Sequence, residues 1–282
     1  MSIFLADKVM VPSTSIASDQ SMTNQEMRSL LLHDMPDKLQ GKRIVIVGGT
    51  SGLGFAVAKA ALYAGASVIV SSSNQGRVDA AAKKLSDLGT GQSVEGRVYD
   101  VKAGESASKE FFEALPEFDH LVWTAGDLLP LGYPDHDLAN IHDAFVTRTT
   151  GPIYAGKYAP PRMPKNSDSS ITFTIGLATR KPPKGWALVT AVGGATERFT
   201  KGLAVEIAPI RVNVVSPGLV ITEFLDHLPA EDVKAMIDHQ TMALPVKHVA
   251  DADEAAEAYL YLLRCAYVTG ETLNVDGGAV LV

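Results

Sequence analysis

The chain has 282 residues, 46% of them hydrophobic and 20% charged, with a net charge of -7. That length and apolar content bury one sizeable core, and the acidic balance argues against nucleic acid or an anionic membrane as partner. The single cysteine excludes an internal disulfide framework and a multi-cysteine zinc site, so no metal is expected. Cys265 lies in an apolar stretch and reads as a buried core thiol. No apolar run approaches the ~20 residues of a membrane span. Asp7 and Lys8 interrupt the opening apolar residues too early for a secretory signal, and a cytoplasmic protein is the expectation.

Residues 1–38 lack periodicity and read as an N-terminal arm, partly ordered at best; 39–282 read as one domain. Ile44–Val47 is a continuous apolar run ending in glycine, as in a strand buried on both faces. Phe55–Tyr63 is an alanine-rich helix, Ser67–Val70 a strand, Arg77–Leu88 a helix and Val94–Tyr99 a strand. Then follow Ser106–Leu115 (helix), His120–Thr124 (strand), His142–Tyr158 (helix), Ile171–Ile175 (strand) and Ala187–Ile207 (helix). Arg211–Val215 (strand), Glu254–Cys265 (helix) and Thr272–Val275 (strand) complete the order. Strands alternating with helices imply right-handed crossovers and a three-layer α/β fold, its doubly wound parallel sheet of about seven strands covered on both faces.

Between the first strand and helix stands Gly48-Gly49-Thr50-Ser51-Gly52-Leu53-Gly54. A glycine triplet alone is a weak signal; placed between the first strand and helix of a β-α-β series it marks a Rossmann dinucleotide turn. Gly48 permits the turn, while Gly52 and Gly54 let backbone approach a pyrophosphate and helix approach strand. The helix start offers free N–H groups and partial positive charge, with the Thr50 and Ser51 hydroxyls beside it. At the end of the second strand an acid would accept from a free ribose 2′-hydroxyl. Here stand Ser72, Ser73, Asn74 and Arg77, small donors and a cation. That set favours NADP(H), or simply forms the loop.

With its later segments this pattern resembles the short-chain dehydrogenase/reductase family over residues 40–282. Asp100-Val101 matches the pair that contacts adenine in that family. Thr124-Ala125-Gly126 matches the end of its Asn-Asn-Ala-Gly segment, with Trp123 and Thr124 replacing the two asparagines. The stretch from Leu203 through Pro217-Gly218 to Thr222 follows the family pattern, in which the residues at Val220 and Thr222 hold the carboxamide and phosphate ends of the cofactor, and the closing Asn274-Val275-Asp276-Gly277-Gly278 also fits. The resemblance implies a substrate lid over about 223–249, where Leu225, Leu228, Met236, Met242 and Leu244 suit a bulky apolar substrate and His227 and His239 read as surface residues. It also implies a homodimer or homotetramer.

The family's Asn, Ser, Tyr and Lys fall at Arg148, Gly176, Val189 and Gly193. In relatives the tyrosine moves the proton at a carbonyl oxygen and the lysine lowers its pKa, and neither valine nor glycine can do this. Three consequences follow. Gly176, Val189, Gly193 and Gly194 empty a volume, either for a bulky ligand or for close helix packing between subunits. Arg148 brings a permanent cation that can hold a carboxylate, enolate or amide oxygen, or points away to solvent or a carboxylate. The missing acid favours reduction of an iminium, which arrives cationic, over reduction of a ketone, which leaves an alkoxide needing a proton.

This combination resembles the fungal reductases of prenylated indole alkaloid pathways, of the malbrancheamide and paraherquamide type, which reduce a cyclic iminium and shape a Diels–Alder closure. The resemblance is carried by Arg148 and by Pro182-Pro183-Lys184-Gly185-Trp186, where those proteins have Pro-Asp-Pro-Gly-Trp. Pro183 replaces their aspartate and Lys184 a proline, so an Arg–Asp device does not carry over. Arg148 and Lys184 are the candidate catalytic residues; Arg148, Trp186 and Val189 are the candidate substrate contacts. Trp186 reads either as a stacking wall or as a core residue capping the helix start. Three readings stand open: an NADP(H)-dependent imine reductase of specialised metabolism, with or without a cyclisation; a non-catalytic dinucleotide-binding scaffold or sensor; and a carbonyl reductase with a relocated acid at Lys184 or Thr174.

Overall fold

The computed structural model of the protein describes residues 37–128, 131–135 and 141–282. The expected arm, up to residue 36, lies outside the described residues. The folded body already includes Asp37, whose carboxylate pairs with Arg264 at 2.6 Å, and Leu39, which is fully buried.

Seven parallel strands form the main sheet in the order β3-β2-β1-β4-β5-β6-β9. They are β1 (Arg43–Val47), β2 (Ser67–Ser72), β3 (Val94–Val98), β4 (His120–Trp123), β5 (Ser170–Thr174), β6 (Arg211–Pro217) and β9 (Thr272–Val275). The helices are α1 (Gly52–Tyr63), α2 (Gln75–Ser86), α3 (Glu105–Glu113), α4 (see below), α5 (Ala187–Glu206), α6 (Ala230–Ala243) and α7 (Ala252–Arg264). Alternation in the strands divides the core. Val45, Val47, Leu121, Ile171, Phe173 and Val214 face one cluster with Phe112 and Leu203. Ile44, Ile46, Val68, Val122 and Val215 face the other with Ala58, Leu62 and Tyr259. After β3 the chain crosses back to lay β4 on the other side of β1, so the crevice at the carboxyl ends of β1 and β4 is the switch point where ligands bind in such sheets.

The strand and helix order matches the sequence reading, with ends shifted by a few residues. Three features differ. The expected helix His142–Tyr158, α4, runs through α-helical Ile141–Phe145, π-helical Val146–Thr150 and α-helical Gly151–Tyr158. Within the expected lid, α6 forms, and a short parallel pair, β7 (Val220–Ile221) with β8 (Ala250–Asp251), clips the two ends of that segment together. No residue of α6 is fully buried, so its apolar residues draw no clean core stripe in sequence. Cys265 is half-buried at the end of α7, not a core thiol, because the helix stops there.

Buried Arg211 needs no carboxylate. Its guanidinium donates to the carbonyls of Leu262 (2.6 Å), Leu263 (3.0 Å) and Ser167 (2.6 Å), closing the C-terminal carbonyls of α7. Among the described residues no helix is long and apolar enough to cross a membrane.

His120 starts β4 at 1% exposure, its Nδ1 2.9 Å from the Ser170 hydroxyl. Burial pushes its pKa down to about 3, with Asp119 opposing. The fold therefore holds it neutral, whereas the unfolded chain takes up a proton near pH ~6.5. Its contribution is full above that pH and declines as pH falls towards about 3, by at most ~1.4 kcal/mol per pH unit. Thermal melts across this window should show a steeper loss for the wild type than for His120→Asn.

Candidate active site

The glycine turn is built by contacts that leave no room for a side chain. At Gly48, φ is +87° and a Cβ would lie 2.5 Å from the Ala125 nitrogen. At Gly54 a Cβ would lie 2.3 Å from the Gly48 carbonyl oxygen and 2.4 Å from Thr124 Oγ1. Gly49, which the sequence reading did not single out, is held by the same logic: its Cβ would meet Val70 at 2.9 Å. Gly48 and Gly49 donate to the Ser71 carbonyl, and Thr124 Oγ1 donates to the carbonyls of Val47 and Gly48 at 3.2 Å each. Thr124 and Ala125 thus brace the turn from β4. Gly52 differs: its φ is +51° but its nearest neighbour, Thr222 Cβ, would be 3.5 Å from a Cβ. Ser51 is the exposed N-cap of α1 and its hydroxyl makes no capping bond; Thr50 and Leu53 are half-buried beside it. The N–H of Gly52 instead donates to Glu223 Oε2 at 2.9 Å. Thr222 and Glu223 thereby lie across the turn, while Val220 is buried in β7.

Ser72 ends β2 half-buried, and Ser73, Asn74 and Arg77 are exposed after it. Asn74 Oδ1 accepts from the Arg77 N–H at 2.9 Å and caps α2, so the loop role explains this residue. Ser73 and the Arg77 guanidinium make no side-chain hydrogen bond or ion pair among the described residues. Asp100 Oδ1 accepts from the Lys102 N–H at 3.0 Å. Val101 is buried against Gly151, where a Cβ would come within 2.6 Å of it. The crevice therefore offers a glycine cradle for a pyrophosphate and no acid at the end of β2, and these residues fit a phosphorylated dinucleotide.

At the other end Arg148 sits in the π-helical turn. Its Nη2 and Nε donate to the Asp127 carbonyl at 2.8 and 3.2 Å, and its guanidinium lies over Gly126, whose absent Cβ would fall 2.4 Å from Cζ. Arg148 thus points neither to solvent nor to a carboxylate; it holds the loop after β4. Burial lowers its pKa and the Asp127 charge opposes this. Asp127 is a hub that the sequence reading missed: its carboxylate accepts from Thr147 Oγ1 at 2.6 Å and pairs with Lys102 at 3.1 Å. Trp123 Nε1 donates to the Thr147 carbonyl (3.1 Å), and Thr196 Oγ1 on α5 to the Arg148 carbonyl (2.6 Å). Such a π turn commonly marks a functional segment.

The emptied volume is less uniform than expected. Gly176 has nothing within 4 Å of where its side chain would be, and neither has Gly194. Gly193 is filled from within the chain: Thr179 Oγ1 would stand 2.2 Å from its Cβ, taking the room of the lysine stem. Neither a ligand nor a second subunit is needed to explain that glycine. Val189 is buried at 8% exposure. Trp186 is half-buried at the N-cap of α5, makes no side-chain capping bond, and is not a core residue. Lys184 is exposed and has no side-chain partner among the described residues. Thr174 is turned to the opposite face, where its hydroxyl is 2.8 Å from that of Tyr259, an interior phenol whose pKa burial raises. In the lid, Leu225 and Leu244 are buried, Met242 is 79% exposed, and His227 and His239 are exposed.

Asp127 directly follows the Thr-Ala-Gly match and Glu223 directly follows Thr222, so adjacency could have flagged both. Nothing local signals Thr179. Two glycines should respond oppositely to alanine. Gly54→Ala meets backbone, and should lower the melting temperature and abolish dinucleotide binding in calorimetry. Gly194→Ala enters open space in a helix and should stabilise by about 1 kcal/mol in denaturant titrations.

The pattern of an SDR-like Rossmann domain matches residues 35–282. The chain is 35% identical over 250 residues to the short-chain dehydrogenase/reductase ATR9 of Stachybotrys chlorohalonatus, an alignment covering 86% of this chain and 98% of that protein. In structure it is similar to the MalC reductase/Diels-Alderase of Malbranchea aurantiaca, with a TM-score of 0.82 and 30% identity over 88% of this chain and 99% of that one. It is likewise similar to a small-chain dehydrogenase in complex with NADPH, with a TM-score of 0.71 and 32% identity over 86% and 100% of the two chains. On this ground the chain belongs to the short-chain dehydrogenase/reductase family of oxidoreductases.

Proposed function

We propose that the protein is an NADP(H)-dependent reductase of a bulky, apolar imine or iminium compound. The observation that carries this reading is the wall of the crevice formed by Gly176, Val189 and Gly193. Open space, a buried hydrocarbon and a glycine closed by Thr179 stand where the family's serine, tyrosine and lysine would be. Neither valine nor glycine can give a proton to a carbonyl oxygen, and the Thr179 hydroxyl stands at the lysine position, not at that of the tyrosine. Thr174 is spent on Tyr259. A substrate that accepts hydride without needing a proton suits such a chamber.

When bound, the reduced nicotinamide supplies hydride. Gly48, Gly52 and Gly54 would seat its pyrophosphate, with Ser51 and Thr222 beside it, and Ser73 and Arg77 would receive a 2′-phosphate. The absence of an acid at the end of β2 supports NADP(H), as does the likeness to a solved relative in complex with NADPH. Arg148 binds and orients. Nε and one N–H of Nη2 are committed to Asp127, so the remaining N–H groups, two on Nη1 and one on Nη2, are the donors for an amide or enolate oxygen of the substrate. Fixed over Gly126, the cation contributes through position and charge. Val189, the space at Gly176 and Trp186 offer apolar surface. The likeness to MalC, a reductase/Diels-Alderase, supports a cyclisation after reduction.

The test is the loss of nicotinamide absorbance with NADPH against a panel of cyclic imines and ketones. Turnover confined to imines is the expected outcome; turnover of ketones would overturn the reading, and binding without turnover would favour a scaffold. Arg148→Ala should lower kcat/KM by about 10- to 100-fold, the effect of removing one charged hydrogen bond.

A further inference from the structure

The N–H that opens α1 is already occupied by an anion from the chain itself. Gly52 donates to Glu223 Oε2 at 2.9 Å across 171 positions of sequence. Helix α1 supplies no anion of its own: its first turn has no acidic residue, and Ser51 leaves the capping position unused. A helix start with free N–H groups and partial positive charge attracts the nearest carboxylate when no phosphate is present. The pyrophosphate of a dinucleotide needs this N–H and brings like charge to the same point.

Glu223 also begins the short turn Glu223–Leu225, the first turn of the segment that runs through α6, with Leu225 packed in the interior. The hollow beside it, about 260 Å³, is lined by Gly52, Phe55, Thr222, Glu223, Asp251 and Asp253. Of these acids, Asp253 is paired with Lys59 and Asp251 caps the start of α7. Displacing the carboxylate from the Gly52 N–H removes this tie between the turn that carries it and α1.

We propose that Glu223 is an internal substitute for the cofactor phosphate, a latch that ties the lid segment to the glycine turn until the dinucleotide displaces it. The proposal rests on the dinucleotide reading above. Its consequence is ordered binding, cofactor before substrate, with the free protein weakened in cofactor affinity by its own carboxylate.

The experiment is titration of the full chain with NADPH, for wild type, Glu223→Gln and Glu223→Ala, at low and high salt. Hydrogen exchange of the peptide spanning 223–228 is followed in parallel. Glu223→Gln keeps length and acceptor but loses the charge. Both variants should bind NADPH about tenfold more tightly at low salt, with the difference narrowing as salt screens it. NADPH should raise exchange of that peptide in wild type, and free Glu223→Ala should already show the raised level. Equal or weaker binding by both variants, with wild-type binding intact, overturns the latch alone. Absence of binding in all three overturns the dinucleotide reading and the latch with it.

Discussion

The site depends on one close approach: α1 against the end of β1, with only glycine between them. A side-chain atom at Gly54 would fall 2.3 Å from the Gly48 carbonyl, and one at Gly48 would fall 2.5 Å from the backbone of Ala125. Three segments from two strands and a helix meet there as bare backbone. The N–H groups of Gly48, Gly49, Thr124 and Ala125 are spent inside the junction, on the carbonyls of Ser71 and Val47, and it is the start of α1 that this close approach presents at the switch of the sheet. Thr124 adds a side chain to this junction, and it spends its hydroxyl on two carbonyls of the turn.

A second brace sets the other end of the crevice. Arg148, Asp127, Thr147, Trp123 and Lys102 join β4, its following loop and the π-helical turn of α4. The arginine gives up two of its donors to hold backbone and so gains a fixed place. A cation that positions its own loop reorganises little when a ligand arrives, and that is the condition under which charge contributes most to a reaction. Its loss therefore disturbs structure and site together, because the Asp127 carbonyl is left without its donors.

What could be read along the chain follows from the range of each interaction. The glycine turn, the seven strands of the main sheet and the alanine-rich α1 are local patterns, and all were legible; the two-residue strands β7 and β8 were not. The expected helix over 142–158 was legible as a helix, but not its π-helical turn, which is tied by Trp123 and Thr196 from elsewhere in the chain. Helix α6 escaped because it lies on the surface and buries no residue fully. The vacancy at Gly176 followed from spacing; the filling of Gly193 by Thr179 did not, because it depends on how a short turn folds back onto α5. Thr174 illustrates the period of a strand: Phe173 faces one core and Thr174 the other, so proximity in sequence to the site placed it on the wrong side of the sheet.

The small clip between β7 and β8 has a wider meaning. Val220 pairs with Ala250 and Ile221 with Asp251 in a two-stranded sheet of their own, so the two ends of the intervening segment are held together. Everything between those anchors is an excursion whose ends are fixed. Such an excursion can change length and composition at little energetic penalty, because closure is already provided for. The segment between the two short strands can therefore vary while the glycine turn, held by its own backbone contacts, stays as it is.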